Sequence, residues 1–241
     1  MDYLGLSFEQ LDEDAVVALL RGRSADSGFA YLVTPNVDHV VRLAKLDRDS
    51  AERRAYRQAG WRLCDSRVLS ALASLQGIRL PVVTGSDLTG RLLRDIAVPG
   101  DRICVIGGYA DDIAKLAAVR PDVVIIQHIP PMELHEDAAA RAVAARFAAA
   151  SAARFILVAV GSPQQELIAA AIGDLPEARG TALCIGASID FLTGRASRAP
   201  RWMRRLSLEW LHRLLADPSR LWRRYLIEGP RIFLLAWRSG R

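Results

Sequence analysis

Six short apolar runs recur along the chain, each followed by a stretch with helical spacing. They are Ala30–Val33, Trp61–Cys64, Arg102–Ile106, Val123–Gln127, Phe155–Val160 and Ala182–Ile185. Four of the six are almost wholly apolar, with no polar residue alternating in. A strand has that character when helices cover both of its faces. The helical stretches lie at about residues 37–59, 67–76, 86–97, 110–118, 136–150 and 164–172. The clearest is 138–150, where alanine, the best helix former, dominates. Strand–helix alternation of this kind predicts an α/β fold: a Rossmann-like, parallel, doubly wound sheet flanked by helices.

In open α/β sheets, ligands bind beyond the carboxyl ends of the strands. Thr34, Pro35 and Asn36 follow the first predicted strand, Asp65 the second, and Gly107 and Gly108 the third. Gly161 to Gln165 follow the fifth, and Gly186 and Asp190 the sixth. Turn chemistry explains any one of these loops; five on one edge of a sheet point to a site. Gly107-Gly108 lets backbone approach a ligand, and the helix behind it offers amides to a phosphate. The pair is not G-x-G-x-x-G, which counts against a nicotinamide dinucleotide. Gln164 and Gln165 open a helix, and Gln165 suits sugar hydroxyls or a base edge. Asp65, at a strand end, is either a general base or a helix N-cap.

Charge is unevenly spread. Residues 198–241 hold 11 of the 32 basic residues and three of the 27 acidic ones, a net +8, so the other 197 residues carry −3. Four of the five tryptophans, Trp202, Trp210, Trp222 and Trp237, lie there too. This predicts a catalytic core over 1–196 and a basic, amphipathic helical appendage over 197–241. Arg213, Arg220 and Arg223 or Arg224 fall on one helical face if the break at Asp217-Pro218 is gentle, and clustered guanidiniums suit a diphosphate. Tryptophan, leucine and arginine together also suit a helix lying in a membrane interface, with the four tryptophans as contacts. Nucleic acid is disfavoured, because bulky apolar residues interrupt the basic ones and the rest of the chain is acidic.

No apolar run approaches the roughly 20 residues of a spanning helix, and the N-terminus lacks the features of a secretory signal. The expectation is therefore a protein on the cytoplasmic side of the membrane. Cys64, Cys104 and Cys184 fit no metal or disulfide pattern and read as buried small hydrophobes. The histidines, His39, His128, His135 and His212, show no ligand spacing. Asp47-Arg48-Asp49 has a D-x-D form but reads as a solvated helix junction. No metal or cofactor is expected.

Taken in order, several segments resemble the WecG/TagA/CpsF family of bacterial glycosyltransferases. They are Thr34-Pro35-Asn36, Asp65, Thr84-Gly85-Ser86-Asp87-Leu88, Gly107-Gly108 and Gly161-Ser162-Pro163-Gln164-Gln165-Glu166. Then come Gly186-Ala187-Ser188-Ile189-Asp190, Arg198-Ala199-Pro200, Leu208 to Leu214 and Pro218 to Tyr225. The resemblance runs from about residue 30 to the C-terminus. It implies the fold called GT-E and inverting, metal-independent transfer. The implied donor is a UDP-sugar carrying N-acetylmannosamine, its uronic acid or glucose. The implied acceptor is a sugar on undecaprenyl diphosphate. It also implies that Asp65 is the base, with Thr34 and Asn36 lining the site. Substrate contacts would fall on Thr84, Ser86, Asp87, Gly107, Gly108, Gly161, Gln164, Gln165 and Asp190. Arg213, Arg220, Arg223 and Arg224 would close over the diphosphate. Where the family usually has Pro-Asp-Gly around the base, this chain has Cys64-Asp65-Ser66, and Ile129-Pro130 follows His128. Two other functions compete: a nucleotide-binding oxidoreductase, and a non-catalytic scaffold of polysaccharide assembly. A homo-oligomer is compatible with all of them.

Overall fold

Along β5 (Arg102–Gly107), Ile103 and Val105 point to one face of the sheet and Cys104 and Ile106 to the other. Along β7 (Phe155–Ala159), Phe155 and Leu157 take the first face and Ile156 and Val158 the second. Period-two alternation thus feeds two hydrophobic layers from strands that have no polar side. In the computed structural model, which describes residues 1–131, 134, 137–197, 199–200, 202–203 and 207–239 apart from the side chain of Arg220, both layers are filled by helices.

The sheet is completed by β3 (Ala30–Val33), β4 (Trp61–Arg62), β6 (Val124–His128) and β8 (Thr181–Cys184). All six strands are parallel, in the order β4-β3-β8-β7-β5-β6. Register levels the carboxyl ends: Val33 pairs with Arg62 and with Cys184, Cys184 with Val158, and Ala159 with Gly107. The loops leaving these residues therefore share one edge.

The first face is covered by α1 (Glu13–Arg21), α5 (Gly85–Arg91) with its π-helical continuation Leu92–Ile96, α6 (Asp112–Val119) and α9 (Ser188–Leu192). The second is covered by α2 (Val37–Leu43), α3 (Ala51–Gln58), α7 (Ala138–Ala150) and α8 (Gln164–Gly173). A third cluster forms beyond β4. It joins Val40 and Val41 of α2, Leu69 and Ala73 of α4 (Arg67–Ser74), Cys64, and Tyr3 and Phe8 around an N-terminal hairpin of β1 (Asp2–Tyr3) and β2 (Leu6–Ser7). All three cysteines are free and buried.

Three features depart from expectation. The stretch 37–59 is two helices, because Ser50 caps α3 by accepting from Arg53 N at 3.3 Å and the chain turns through the exposed Asp47-Arg48-Asp49. The hairpin and α1 had not been foreseen. The tail does not present one continuous basic face: helix Glu209–Ala216 ends at Asp217 (φ −144°, ψ 71°), and Pro218 starts a new helix, Pro218–Trp222, which continues as a π-helix over Arg223–Glu228. The last helix, Arg231–Ser239, packs on α2 and α4. Its Ile232 is buried in the third cluster, and Gln76 Nε2 donates to Ala236 O at 2.7 Å. Arg198 and His135 lie outside the described residues. Among the described residues no helix is long and apolar enough to cross a membrane.

Candidate active site

The chain just past β4 is held from both sides. Asp65 N donates to Pro35 O at 3.0 Å, and Val83 N donates to Cys64 O at 2.9 Å. The next residue, Ser66, caps α4 by accepting from Leu69 N at 3.2 Å. Asp65 is thus not the cap of the helix that follows it. Its carboxyl sits half-buried at the strand ends and takes a backbone hydrogen bond from Gly85. Burial pushes its pKa up to about 7; Arg213 opposes that rise, while Glu209 and Asp87 add to it. A carboxyl poised there is suited to taking a proton near neutral pH.

Three other loops close around it. Thr84 Oγ1 caps α5, accepting from Asp87 N at 3.1 Å and donating to Asp87 Oδ2 at 2.7 Å, with Ser86 Oγ 3.3 Å away. These side chains fix the start of α5 and so place Gly85. A Cβ on Gly85 would lie 3.3 Å from Thr34 Oγ1, a tight approach, and in ordinary contact with Ser188 Oγ at 3.6 Å. Thr34 is buried, and its hydroxyl donates to Cys184 O at 3.4 Å. Asn36 caps α2: its Oδ1 accepts from Asp38 N (3.0 Å) and His39 N (3.5 Å). Its amide nitrogen has no protein partner among the described residues.

The loop after β7 is built differently from expectation. Gln165 is buried, and its amide is committed to the protein: Oε1 accepts from Gly186 N at 2.7 Å and Nε2 donates to Glu166 Oε1 at 2.8 Å. Gln164, also buried, accepts from Arg141 at 3.4 Å, and Gly161 takes a positive φ of 78° at the turn. Behind them lies a fully buried carboxylate. Glu166 accepts from Tyr56 Oη (2.9 Å) and Ser162 Oγ (2.7 Å) as well as from Gln165; Tyr56 also meets His39 Nδ1 at 3.1 Å, and Arg42 Nη2 donates to Ser162 Oγ at 2.7 Å. Burial raises the pKa of Glu166 while these hydrogen bonds and Arg42 oppose it, and burial lowers that of His39. Sequence reasoning missed His39, Arg42 and Tyr56. They are scattered over two helices, and only in the fold does Tyr56 reach Glu166, Arg42 reach Ser162 and His39 reach Tyr56.

The Gly107-Gly108 turn is shaped by protein contacts. A Cβ on Gly107 (φ 99°) would meet Val160 Cγ1 at 2.8 Å, and one on Gly108 (φ 75°) would meet Asp112 Oδ2 at 2.7 Å. Asp112 is fully buried and accepts from Tyr109 N at 2.7 Å. Two aspartates, Asp111 and Asp112, therefore stand where amides were expected to meet a phosphate. Arg195, also missed, pairs with both and lies 4.1 Å from the centre of the Tyr109 ring. Asp190 faces this group, its pKa raised by burial and by Asp112.

The tail reaches the strand ends at two places. Arg213 lies 5.6 Å over the Phe191 ring, close enough to Asp65 to influence it. Arg224 pairs with Asp38 at 3.2 Å, beside the Asn36 cap. Arg223 is exposed and lies near Glu228, and the side chain of Arg220 is outside the described residues.

Residues 1–241, the whole chain, match the model of the glycosyl transferase WecG/TagA/CpsF family. The chain belongs to that family. It is a transferase of cell-surface polysaccharide synthesis. Two departures of this WecG/TagA/CpsF member have local reasons. Cys64, in the place of the usual proline, is buried in the third cluster, and Ser66, in the place of the usual glycine, supplies the cap of α4. Ile129, after His128, is exposed, while the His128 ring packs on Phe147 at 5.2 Å. Among the described residues no group of three or more His, Cys, Asp or Glu is arranged to hold a metal ion.

Proposed function

We propose that the protein transfers a sugar from a UDP-sugar to a sugar on undecaprenyl diphosphate, with inversion and without a metal, at the inner face of the cytoplasmic membrane. The observation that carries this reading is the nearness of Arg213 to Asp65: where five loops leave the sheet, a carboxyl raised toward neutrality feels the charge of a tail cation, which itself pairs with Glu209 at 3.5 Å. The acceptor hydroxyl attacks the anomeric carbon, and Asp65 takes the hydroxyl proton. The anomeric carbon–oxygen bond breaks on the opposite face, and UDP leaves with the electron pair. One displacement with one base inverts the configuration. Arg213 stabilises the charge growing on the diphosphate, the task a divalent ion performs elsewhere. Thr34 and the open amide of Asn36 orient the acceptor. The donor nucleotide lies across the loops of Gly161, Gly186 and Asp190.

Support for a peripheral membrane position comes from the tail's exposed apolar residues, among them Trp202, Trp222, Phe233, Leu234 and Trp237. The decisive assay supplies UDP-N-acetylmannosamine, its uronic acid form or UDP-glucose with synthetic lipid-diphosphate sugars in the presence of a chelator, and reads products by mass. The expected result is transfer that survives chelation and falls about 10²–10⁴-fold in Asp65→Asn, the share of a general base. Turnover that needs a divalent ion, or is untouched by Asp65→Asn, refutes the mechanism.

A further inference from the structure

The hairpin tip and the junction after α2 enclose a cavity of about 140 Å³ that the transfer reaction does not use. Three arginines line it, the exposed Arg48 and Arg57 and the half-buried Arg53, and Leu4, Leu6 and Leu43 form its apolar side. Arg48 is the centre of the Asp47-Arg48-Asp49 segment, so the part of that segment with a binding role is its cation. Two of the arginines are fixed by the backbone: Arg53 Nε donates to Leu43 O at 2.9 Å and Arg57 Nη1 to Arg48 O at 2.6 Å. The first of these bonds also satisfies the carbonyl end of α2, which would otherwise repel an anion.

None of the three pairs with a carboxylate among the described residues, whereas Arg42 on α2 pairs with Asp38 and Glu52. Like charges gathered around a void with no counterion repel one another, and an anion with several oxygens relieves all three together. The space suits such a group, since one water occupies about 30 Å³ in the liquid. The apolar wall adds a place for a short hydrocarbon part. We propose that this cavity binds a phosphate ester, separately from the transfer site. It opens at the last turn of α2, whereas Asn36 caps the first turn, about 10 Å away at 1.5 Å per residue.

The source of the ester follows from what adjoins the cavity. Leu4 and Leu6 pack against the third cluster, which also holds Ile232 and Leu235 of the last tail helix. On its outer side that helix exposes Phe233 and Leu234. Lys45, two residues past α2, pairs with Glu228 of the tail. A bilayer touching the helix would bring anionic headgroups to the arginines. An anionic phospholipid is thus the ligand, which rests on the membrane position proposed above.

The test separates the two claims. Backbone amide shifts of Gly5 and side-chain Nε–H shifts of Arg53 are followed while glycerol 3-phosphate or inorganic phosphate is added, with UDP present throughout to fill the transfer site. Wild type should show saturable shifts, and R48Q/R57Q should need at least about tenfold more ligand, the loss of two charge-assisted contacts. R48K/R57K, which keeps the charge, should recover part of the affinity and shows that the fold is intact. Absent shifts in wild type, or equal affinity in R48Q/R57Q, overturn the proposal. Flotation with vesicles of phosphatidylglycerol or phosphatidylcholine then identifies the source. Weaker retention of R48Q/R57Q on phosphatidylglycerol alone confirms the lipid. Unchanged retention with lost phosphate shifts keeps the site and assigns it a soluble ester. Failure of wild type to bind any vesicle removes the membrane position and leaves the phosphate titration to decide the cavity.

Discussion

At the scale of single residues, Asp65 combines two properties that pull apart. Its pKa is pushed up to about 7 chiefly by burial, so ionising it in the folded protein is costly. The unfolded carboxyl ionises near pH 3.9. Between about pH 4 and 7 the unfolded chain gives up this proton and the folded chain keeps it, so stability falls as pH rises through that window and is flat above it. Asp65→Asn abolishes the loss. Thermal melts should show the variant more stable than wild type at pH 8, with the difference vanishing toward pH 4. Equal pH dependence of the two proteins would mean that the carboxyl is ordinary. The rate should move the opposite way with pH, because the base works only when ionised: kcat/KM should rise through about pH 7. Arg213 opposes the raised pKa, so Arg213→Gln should displace that limb to higher pH, and a limb that stays put would separate Arg213 from Asp65. Glu166 acts through others. It accepts from Tyr56, Ser162 and Gln165, and Gln165 in turn holds Gly186. Glu166→Gln sets amide hydrogens against donors at zero exposure, which costs about 1–3 kcal/mol. That predicts a melting point lower by several degrees and a fall in kcat larger than any rise in KM, as the Gln165–Gly186 turn loosens.

At the scale of elements, most of the sheet could be read from sequence because its strands lack polar residues. Phe155–Ala159 and Arg102–Gly107 are buried on both faces, and a run with one solvent face would have been harder to separate from helix. The loops were found because parallel strands place every carboxyl end on one edge. The hairpin went unseen because its strands have two residues each, too short for any period; its sign is Leu4-Gly5, with φ of 51° and 79°, a tight two-residue turn. The α2–α3 break falls where Asp47-Arg48-Asp49 reads as a solvated junction, and Ser50, the cap of α3, fixes its place, although helix-compatible residues on both sides blur the bounds of the two helices. The roles within the site were the least legible part. Gln165 looks like a ligand contact by type, yet its amide is tied to Gly186 and Glu166, and which way a glutamine turns depends on neighbours distant in sequence. The tail's last helix was read as part of an appendage by composition, but Ile232 is 1% exposed against Tyr3, Leu69 and neighbours. Ile232→Ala should therefore cost about 2–5 kcal/mol. In a chain of this size that lowers the melting point by roughly 2–4 °C per kcal/mol. A change of a degree or less would show that the helix is only loosely docked.

At the scale of the molecule, polarity divides along the chain rather than evenly over its surface. Residues 198–241 carry +8 and the rest −3. The same segment exposes Leu215, Trp222, Leu226, Ile227, Phe233 and Leu234, each at 48% or more. Ile232 faces inward from the helix that shows Phe233 and Leu234 outward, so one element serves the core and the surface on opposite sides. Stability and membrane retention should therefore separate. Trp222→Gln with Phe233→Gln removes two exposed side chains, each worth on the order of 1.5–3 kcal/mol when fully buried and less at an interface. Retention on phosphatidylglycerol vesicles should fall at least about tenfold, since 1.4 kcal/mol is a factor of ten, while the melting point stays within about a degree. Raising salt should weaken retention of both proteins by screening the arginines, and should not restore the difference between them, because that difference is apolar. A double variant that floats with vesicles as well as wild type does would move the membrane contact off the tail. A variant that melts early would show that these side chains belong to the fold.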